Sequence, residues 1–354
     1  MNNLGKHRKA IDKLDKEIVT LLQGRAEHVK KISDDKNKSG RAVYDPAREA
    51  EVLKKVINVK KGKFSPEAIS SIYNEIFSAS RMLQRRLSVA YLGPVASYTH
   101  LAAIKRFGKS TDYISVSGIK EVFLEVEKGT VDYGCVPIEN STEGSINYTY
   151  DMFADSDIKI ISELELKIEH CLMSKQKNIK AIKTIYSHPQ SLAQCRGWLE
   201  ANVPFAVLKE VSSNSKAAIM AAGDKFAAAV AGELAAELNG LNVLASSIQD
   251  VAGNVTRFFI IGKGESRKTG DDKTTIMVSI KDKVGALYHL LKPFEKYKIN
   301  LTNIESRPSK KKAWDYYFFV DFLGHKDEPK IQKALTEIEH NCGGVKVLGS
   351  YPRF

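Results

Sequence analysis

Between Leu4 and Lys36 the apolar residues Leu4, Ile11, Leu14, Ile18, Leu21, Val29 and Ile32 recur at helical spacing and predict one long amphipathic helix. Three cations continue its apolar stripe. Arg8 lies three residues before Ile11, Arg25 four after Leu21, and Lys36 four after Ile32. A buried, unpaired cation costs several kcal/mol, so each needs a compensating partner. The stripe offers no carboxylate, which makes a dianionic small molecule the natural ligand. Snorkelling side chains explain one such cation more simply than three in one register. At about 1.5 Å per residue the helix is roughly 50 Å long. Two shorter helices of one chain cannot cover that length, which predicts a second copy packed along it.

Two further helices follow. Asp45-Pro46 is a cap with proline at the first helical position, and Ser65-Pro66 opens the next helix. Arg48 and Glu49 stand one turn ahead of Val52, Leu53 and Val56. The third helix carries Ile69, Ile72, Tyr73, Ile76 and Phe77, then turns polar at Ser80 and Gln84. In this pattern residues 4–88 resemble the all-helical chorismate mutases, with their stripe of arginines and a lysine and a later Glu and Gln. The resemblance implies rearrangement of chorismate to prephenate without a covalent intermediate. The protein folds the substrate into a reactive chair and places charge beside the breaking ether oxygen. It further implies that Arg8, reaching in from a partner chain, acts with Arg25 and Arg48 on the two carboxylates. Lys36 and Gln84 would face the ether oxygen and Glu49 the ring hydroxyl, with Asp45 and Ser80 supporting the pocket.

The pattern changes at Leu87. From Val89 to about Gly262 short apolar runs alternate with helical segments, an α/β arrangement. The expected strands are Val89–Leu92, Tyr113–Val116, Gly134–Ile138, Ile158–Glu163, Ile182–Ser187, Phe205–Lys209, Ala227–Ala231 and Thr256–Ile261. Several run into small polar clusters: residues 93–100, 137–144, 187–190, 212–215 and 254–258. In open α/β sheets ligands bind at the carboxyl ends of strands, and hydroxyls, amides and helix N-termini there suit an anion. The V-P-I-E-N-S-x-x-G segment, S-H-P-Q followed by Gln194-Cys195, and N-x-T-R-F together resemble prephenate dehydratase. Ala96-Ser97 depart from the family's usual Gly-Thr, while Thr99 keeps the last hydroxyl of that motif.

This second resemblance implies two α/β lobes around a cleft, as in periplasmic-type binding proteins. It also implies loss of carbon dioxide and the ring hydroxyl from prephenate to give phenylpyruvate. Aromatisation drives that reaction, so no metal or organic cofactor is expected. Thr256 is the expected hydroxyl at the leaving group, polarised by its neighbours, with Glu139 sharing the role. Asn140, Ser187, His188 and Gln194 are expected to bind and orient substrate. Arg257 has two readings: it attracts a carboxylate, or it pairs with an acidic residue and fixes the loop.

From Gly270 to Phe354 the expected order is strand Thr274–Ile280, helix Val284–Tyr297, strands Ile299–Glu305 and Trp314–Phe322, helix Glu328–His340 and strand Val345–Leu348. This β-α-β-β-α-β order is ferredoxin-like. Gly285-Ala286-Leu287 and Glu305-Ser306-Arg307-Pro308 make it resemble the phenylalanine-responsive ACT domains that follow prephenate dehydratases. The resemblance implies an allosteric phenylalanine site at Gly285, Ala286, Leu287, Asn303, Glu305 and Ser306, between chains. Lys310-Lys311-Lys312 is expected to be a solvated hairpin turn.

The expected architecture is therefore multidomain. Residues 1–88 form an all-α helical chorismate mutase unit, 89–264 a two-lobed α/β dehydratase unit, and 270–354 an α+β ferredoxin-like ACT unit. A chain of 354 residues, 43% hydrophobic, is ample for several cores. No apolar run approaches membrane length and no signal peptide is recognisable, so a cytoplasmic protein is expected. Cys135, Cys171, Cys195 and Cys342 form no C-x-x-C pair and read as free thiols. The net charge of +12 is uneven: residues 1–88 hold 20 Lys/Arg against 11 Asp/Glu. That basicity could signal nucleic acid, but the cations lie on the apolar stripe without interleaved aromatics. A non-enzymatic sensor is a second rival, and it would need neither Thr256 nor the stripe cations. The expected partners are chorismate, prephenate and L-phenylalanine within a homodimer or homotetramer, with no nucleic acid or membrane.

Overall fold

The computed structural model describes residues 3–59, 62–280, 283–309 and 316–353. The N-terminal unit consists of α1 (Asn3–Ser39), α2 (Pro46–Ile57) and α3 (Pro66–Gln84). Asp45 caps α2 by accepting from the Arg48 amide, and Ser65 caps α3 by accepting from that of Ala68. As its length leads one to expect, the apolar stripe of α1 is not covered within its own chain. Leu4, Ile11, Leu14, Ile18 and Leu21 are each more than half exposed, and Val29 alone of the stripe is buried. The reason is length: α2 and α3 have 12 and 19 residues against 37 in α1.

The first α/β lobe runs β1 (Ser88–Leu92), α4 (Tyr98–Phe107), β2 (Asp112–Val116), α5 (Ile119–Lys128), β3 (Tyr133–Asn140), β4 (Gly144–Ser145), α6 (Asn147–Asp155) and β5 (Lys159–Lys167). The chain then crosses to a second lobe: β6 (Cys171–Ser174), β7 (Thr184–Ser187), α7 (Pro189–Gln194), α8 (Arg196–Asn202), β8 (Val207–Glu210), α9 (Asn214–Gly223), β9 (Ala227–Ala231), α10 (Glu233–Asn239) and β10 (Asn242–Ala245). Strand β11 (Val255–Gly262) returns to the first lobe and lies antiparallel between β3 and β5. The sheet orders are β2-β1-β3-β11-β5, with β4 paired to β3, and β10-β6-β9-β7-β8. Strands β4, β6 and β10 were not among the expected strands. The two crossings are held side by side: the amide of Ile168 donates to the Asn254 carbonyl, and that of Ile248 to the His170 carbonyl.

The last unit has the expected order: β12 (Asp272–Ile280), α11 (Ala286–Lys296), β13 (Leu301–Pro308), β14 (Tyr316–Leu323), α12 (Pro329–Asn341) and β15 (Gly344–Pro352). Its sheet order is β13-β14-β12-β15. The Lys310-Lys311-Lys312 turn lies outside the described residues. One face of this sheet joins the first lobe, because Met277, Phe319, Leu348 and Tyr351 share a core with Val136, Phe153 and Phe259. At Gly349 a Cβ would fall 2.2 Å from the Ile160 carbonyl oxygen, so only glycine permits this approach. Among the described residues no helix is long and apolar enough to cross a membrane.

Candidate active sites

A cleft of about 330 Å³ opens between the two α/β lobes, against both crossings. Strands β1, β3, β7 and β8 deliver polar residues to it from their carboxyl ends, and β9 delivers Gly232. The residues that cap α4, α7, α9 and α10 (Ser97, His188, Ser213 and Gly232) all line it. Four helix N-termini therefore converge on one volume whose described lining contains neither Lys nor Arg. Their free amides and dipoles can hold carboxylates without a full positive charge.

Thr256 begins the buried part of β11 and lies opposite Asn140 of β3. Asn140 donates to Thr256 Oγ1 and to Asn254 Oδ1, each at 2.8 Å. Its own Oδ1 accepts from the amides of Thr142 and Glu143 at 2.9 and 3.1 Å. Backbone amides only donate, so they fix which end of the Asn140 amide is oxygen. Thr256 Oγ1 is thereby an acceptor towards Asn140, and its own proton is left to point into the cleft.

Two expected dehydratase residues lie on the opposite side of their strands. Glu139 and Arg257 are register partners adjacent to the Asn140–Thr256 pair, and period-two alternation turns them away from the cleft. The carboxylate that does line it is Glu143. Arg257 takes the second of its two readings: it forms ion pairs with Glu163 at 2.7 Å and Asp321 at 2.6 Å. Burial opposes its charge, but the two carboxylates more than offset this and hold the guanidinium protonated. Ser187 is also corrected from a substrate ligand to a support. It is fully buried and donates to Val230 O at 2.6 Å, beside Asn214 Oδ1 at 3.0 Å. Asn214 is the residue that reaches the cleft.

His188 and Gln194 do line the cleft. Behind Gln194 stands His170, a residue the sequence did not single out, 2% exposed and kept neutral because burial lowers its pKa. Its Nε2 lies 2.8 Å from Gln194 Oε1 and its Nδ1 lies 2.9 Å from the Tyr98 hydroxyl, so the ring ties Gln194 to α4. A histidine just before a strand carries no periodic signal, which is why His170 was missed.

The helical unit gathers a second set of polar groups. Arg25 donates to Ser80 Oγ, and burial lowers its pKa. Lys36 donates to the carbonyls of Ala42 and Val43 at 2.9 Å each, and burial lowers its pKa also. Asp45 holds Arg267, 3.0 Å away, in addition to capping α2. Glu49 is paired with Arg81, a buried cation absent from the expected set. Gln84 Oε1 is buried and accepts no hydrogen bond. Two expected cations stand apart: Arg48 is exposed and pairs with Glu51 at 3.2 Å, and Arg8 is exposed on the uncovered part of α1. A single chain therefore assembles one side of a site and leaves Arg8 without a pocket.

The expected allosteric residues divide in the same way. Gly285 is left-handed, with φ +79°, and precedes Ala286 and the exposed Leu287. On β13, Ser306 is exposed, whereas Asn303 donates to the Tyr150 hydroxyl and Glu305 accepts from Ser145 Oγ at 2.7 Å. Alternation turns Asn303 and Glu305 onto the first lobe, so within one chain they join units rather than line an open surface.

Residues 7–85 match the family model of chorismate mutase type II, 89–266 that of prephenate dehydratase, and 274–340 that of the ACT domain. The chain is 48% identical over 357 residues to the bifunctional chorismate mutase/prephenate dehydratase of Aquifex aeolicus, covering 100% of this chain and 99% of that protein. It is 45% identical to the protein of the same description from Stutzerimonas stutzeri, covering 97% and 96%. The crystal structure of prephenate dehydratase from Arthrobacter aurescens in complex with L-Phe superposes with a TM-score of 0.69 at 32% identity, covering 75% of this chain and 90% of that one.

Proposed function

Because this chain belongs to the family of bifunctional chorismate mutase/prephenate dehydratases, we propose that its helical unit makes prephenate from chorismate and its interlobe cleft converts prephenate to phenylpyruvate. The observation that carries the reading is the Asn140–Thr256 pair inside a cleft ringed by four helix N-termini. The helix N-termini and the Gln194 amide hold the two carboxylates of prephenate, and Thr256 donates to the ring hydroxyl. As the carbon–carbon bond to the ring carboxylate breaks, its electron pair enters the ring. The carbon–oxygen bond breaks with it, and the hydroxyl leaves as water after gaining a proton. In the helical unit Arg25 and Lys36 hold chorismate, with Glu49 on its hydroxyl and Gln84 near the ether oxygen. Following the absorbance of phenylpyruvate after mixing the protein with chorismate tests both steps, and no product from chorismate or prephenate would refute the reading.

The uncovered stripe of α1 supports a homodimer in which the partner's copy of α1 covers Ile11, Leu14 and Ile18 and supplies its arginine at position 8. Replacing Leu14 and Ile18 together by glutamate is expected to lower the mass seen by light scattering. Mutase turnover should fall at least about tenfold, since a bound substrate would lose one clamp, while dehydratase activity on supplied prephenate persists. An unchanged mass would show that this stripe is not the interface. A cytoplasmic location accords with the two small-molecule reactions.

The ACT unit is proposed to bind L-phenylalanine and thereby lower dehydratase activity. Glu305 meets Ser145 on the segment that carries Glu143 into the cleft, which gives a direct route between the units. Calorimetric titration into the full chain should show saturable heat. In Gly285→Val it should be lost, because valine is strained at positive φ. An undiminished titration in that variant would place the amino acid elsewhere.

A further inference from the structure

Arg81 is 4% exposed, yet nothing in the expected mutase constellation uses it. It lies on α3 beside Ser80 and points between the helical unit and the first α/β lobe. One amino group pairs with Glu49 Oε1. The other donates to the carbonyl of Phe107 at 2.8 Å. The guanidinium also lies 5.5 Å from the Tyr44 ring centroid and 5.8 Å from that of Phe107. A buried arginine with an ion pair, a carbonyl and two aromatic faces is held in one place. It engages Oε1 of Glu49 and so restrains the carboxylate from that side.

Phe107 is the last residue of α4, whose other end, at Ser97 and Tyr98, lines the interlobe cleft. The helix is about 15 Å long at its ordinary rise. The side chain that orients Glu49 is thus braced against a dehydratase helix that begins at the other active site. Arg106 strengthens the same junction by donating to the Tyr44 hydroxyl at 2.6 Å.

We infer that Arg81 is a positioning residue for the mutase reaction, holding Glu49 against the end of α4 so that the helical unit depends on the dehydratase fold for its geometry. This inference rests on the assignment of Glu49 to the chorismate hydroxyl. The test is a double-mutant cycle in the full chain, with Glu49→Gln, Arg81→Met and the double variant assayed for both activities. Arg81→Met is expected to lower mutase kcat about tenfold or more with little change in KM, the signature of an interaction realised in the transition state. Dehydratase kcat on supplied prephenate should stay within about twofold of wild type. Arg81→Lys, which keeps a charge for Glu49, should recover part of the loss. In the Glu49→Gln background Arg81→Met should cost almost nothing further. Equal losses in both backgrounds, or a mutase kcat unchanged in Arg81→Met, would overturn the role of Arg81 alone. A wild-type mutase in Glu49→Gln would overturn the Glu49 assignment and this inference with it. If Arg81→Met does not fold, the cycle run with Arg81→Lys must show a smaller coupling of the same sign for the inference to stand.

Discussion

Thr256→Ala is expected to lower phenylpyruvate formation from prephenate by about a hundredfold to a thousandfold, the size of losing one preorganised donor at a leaving oxygen. The change removes the hydroxyl whose proton its hydrogen bond from Asn140 leaves free for the substrate. Asn140 donates to Thr256 Oγ1, so the threonine hydroxyl is polarised and its proton is not spent on a neighbour. Thr256→Ser keeps that hydroxyl and should retain a measurable share of activity, reduced because serine lacks the methyl group that restricts the rotamer. With chorismate as substrate, Thr256→Ala should accumulate prephenate at the wild-type mutase rate. The measurement is the separate appearance of prephenate and phenylpyruvate. Undiminished phenylpyruvate formation would remove Thr256 from the mechanism.

Lys36→Ala is expected to have the mirror-image effect. Chorismate turnover should drop about a hundredfold or more, while supplied prephenate is dehydrated normally. Two of the three ammonium protons of Lys36 are taken by the carbonyls of Ala42 and Val43, which hold the nitrogen at the end of α1 and leave the third for a ligand oxygen. Burial lowers the Lys36 pKa, so the charge is present below that pKa and is lost as pH rises through it. Mutase kcat/KM should therefore fall on the alkaline side at a lower pH than a solvent-exposed lysine would dictate. That limb should vanish in Lys36→Arg, provided the arginine variant remains active. A parallel fall of both activities in Lys36→Ala would contradict separate sites.

Much of this organisation was legible before any tertiary structure, because it is written in local patterns. The helical period of residues 4–36, the caps at Asp45-Pro46 and Ser65-Pro66, and the polar clusters that end apolar runs depend on neighbours a few residues away. They give the order of the units and bring Thr256, Asn140, His188 and Gln194 into view. Four expected residues on strands turn away from their sites for one reason. Glu139, Asn303, Glu305 and Arg257 sit in the same short motifs as residues with a plausible ligand role, but a strand sends consecutive side chains to opposite faces. Which face meets the cleft depends on the pairing of β3 with β11 and on where the ACT sheet packs. Residues the sequence missed, such as His170, Glu143 and Arg81, act through partners 24 or more residues away or through a loop, and no local period marks them.

The sequence by itself determined the three kinds of unit, their order and the residue types available for chemistry, since helical and strand periods arise from backbone geometry over a few turns. Only the tertiary structure decided the assignments that depend on distant neighbours. It decided between the two readings of Arg257, pairing it with Glu163 and Asp321. It joined Glu49 to a dehydratase helix through Arg81. Those outcomes follow from register and from which faces pack together, neither of which a single stretch of chain contains.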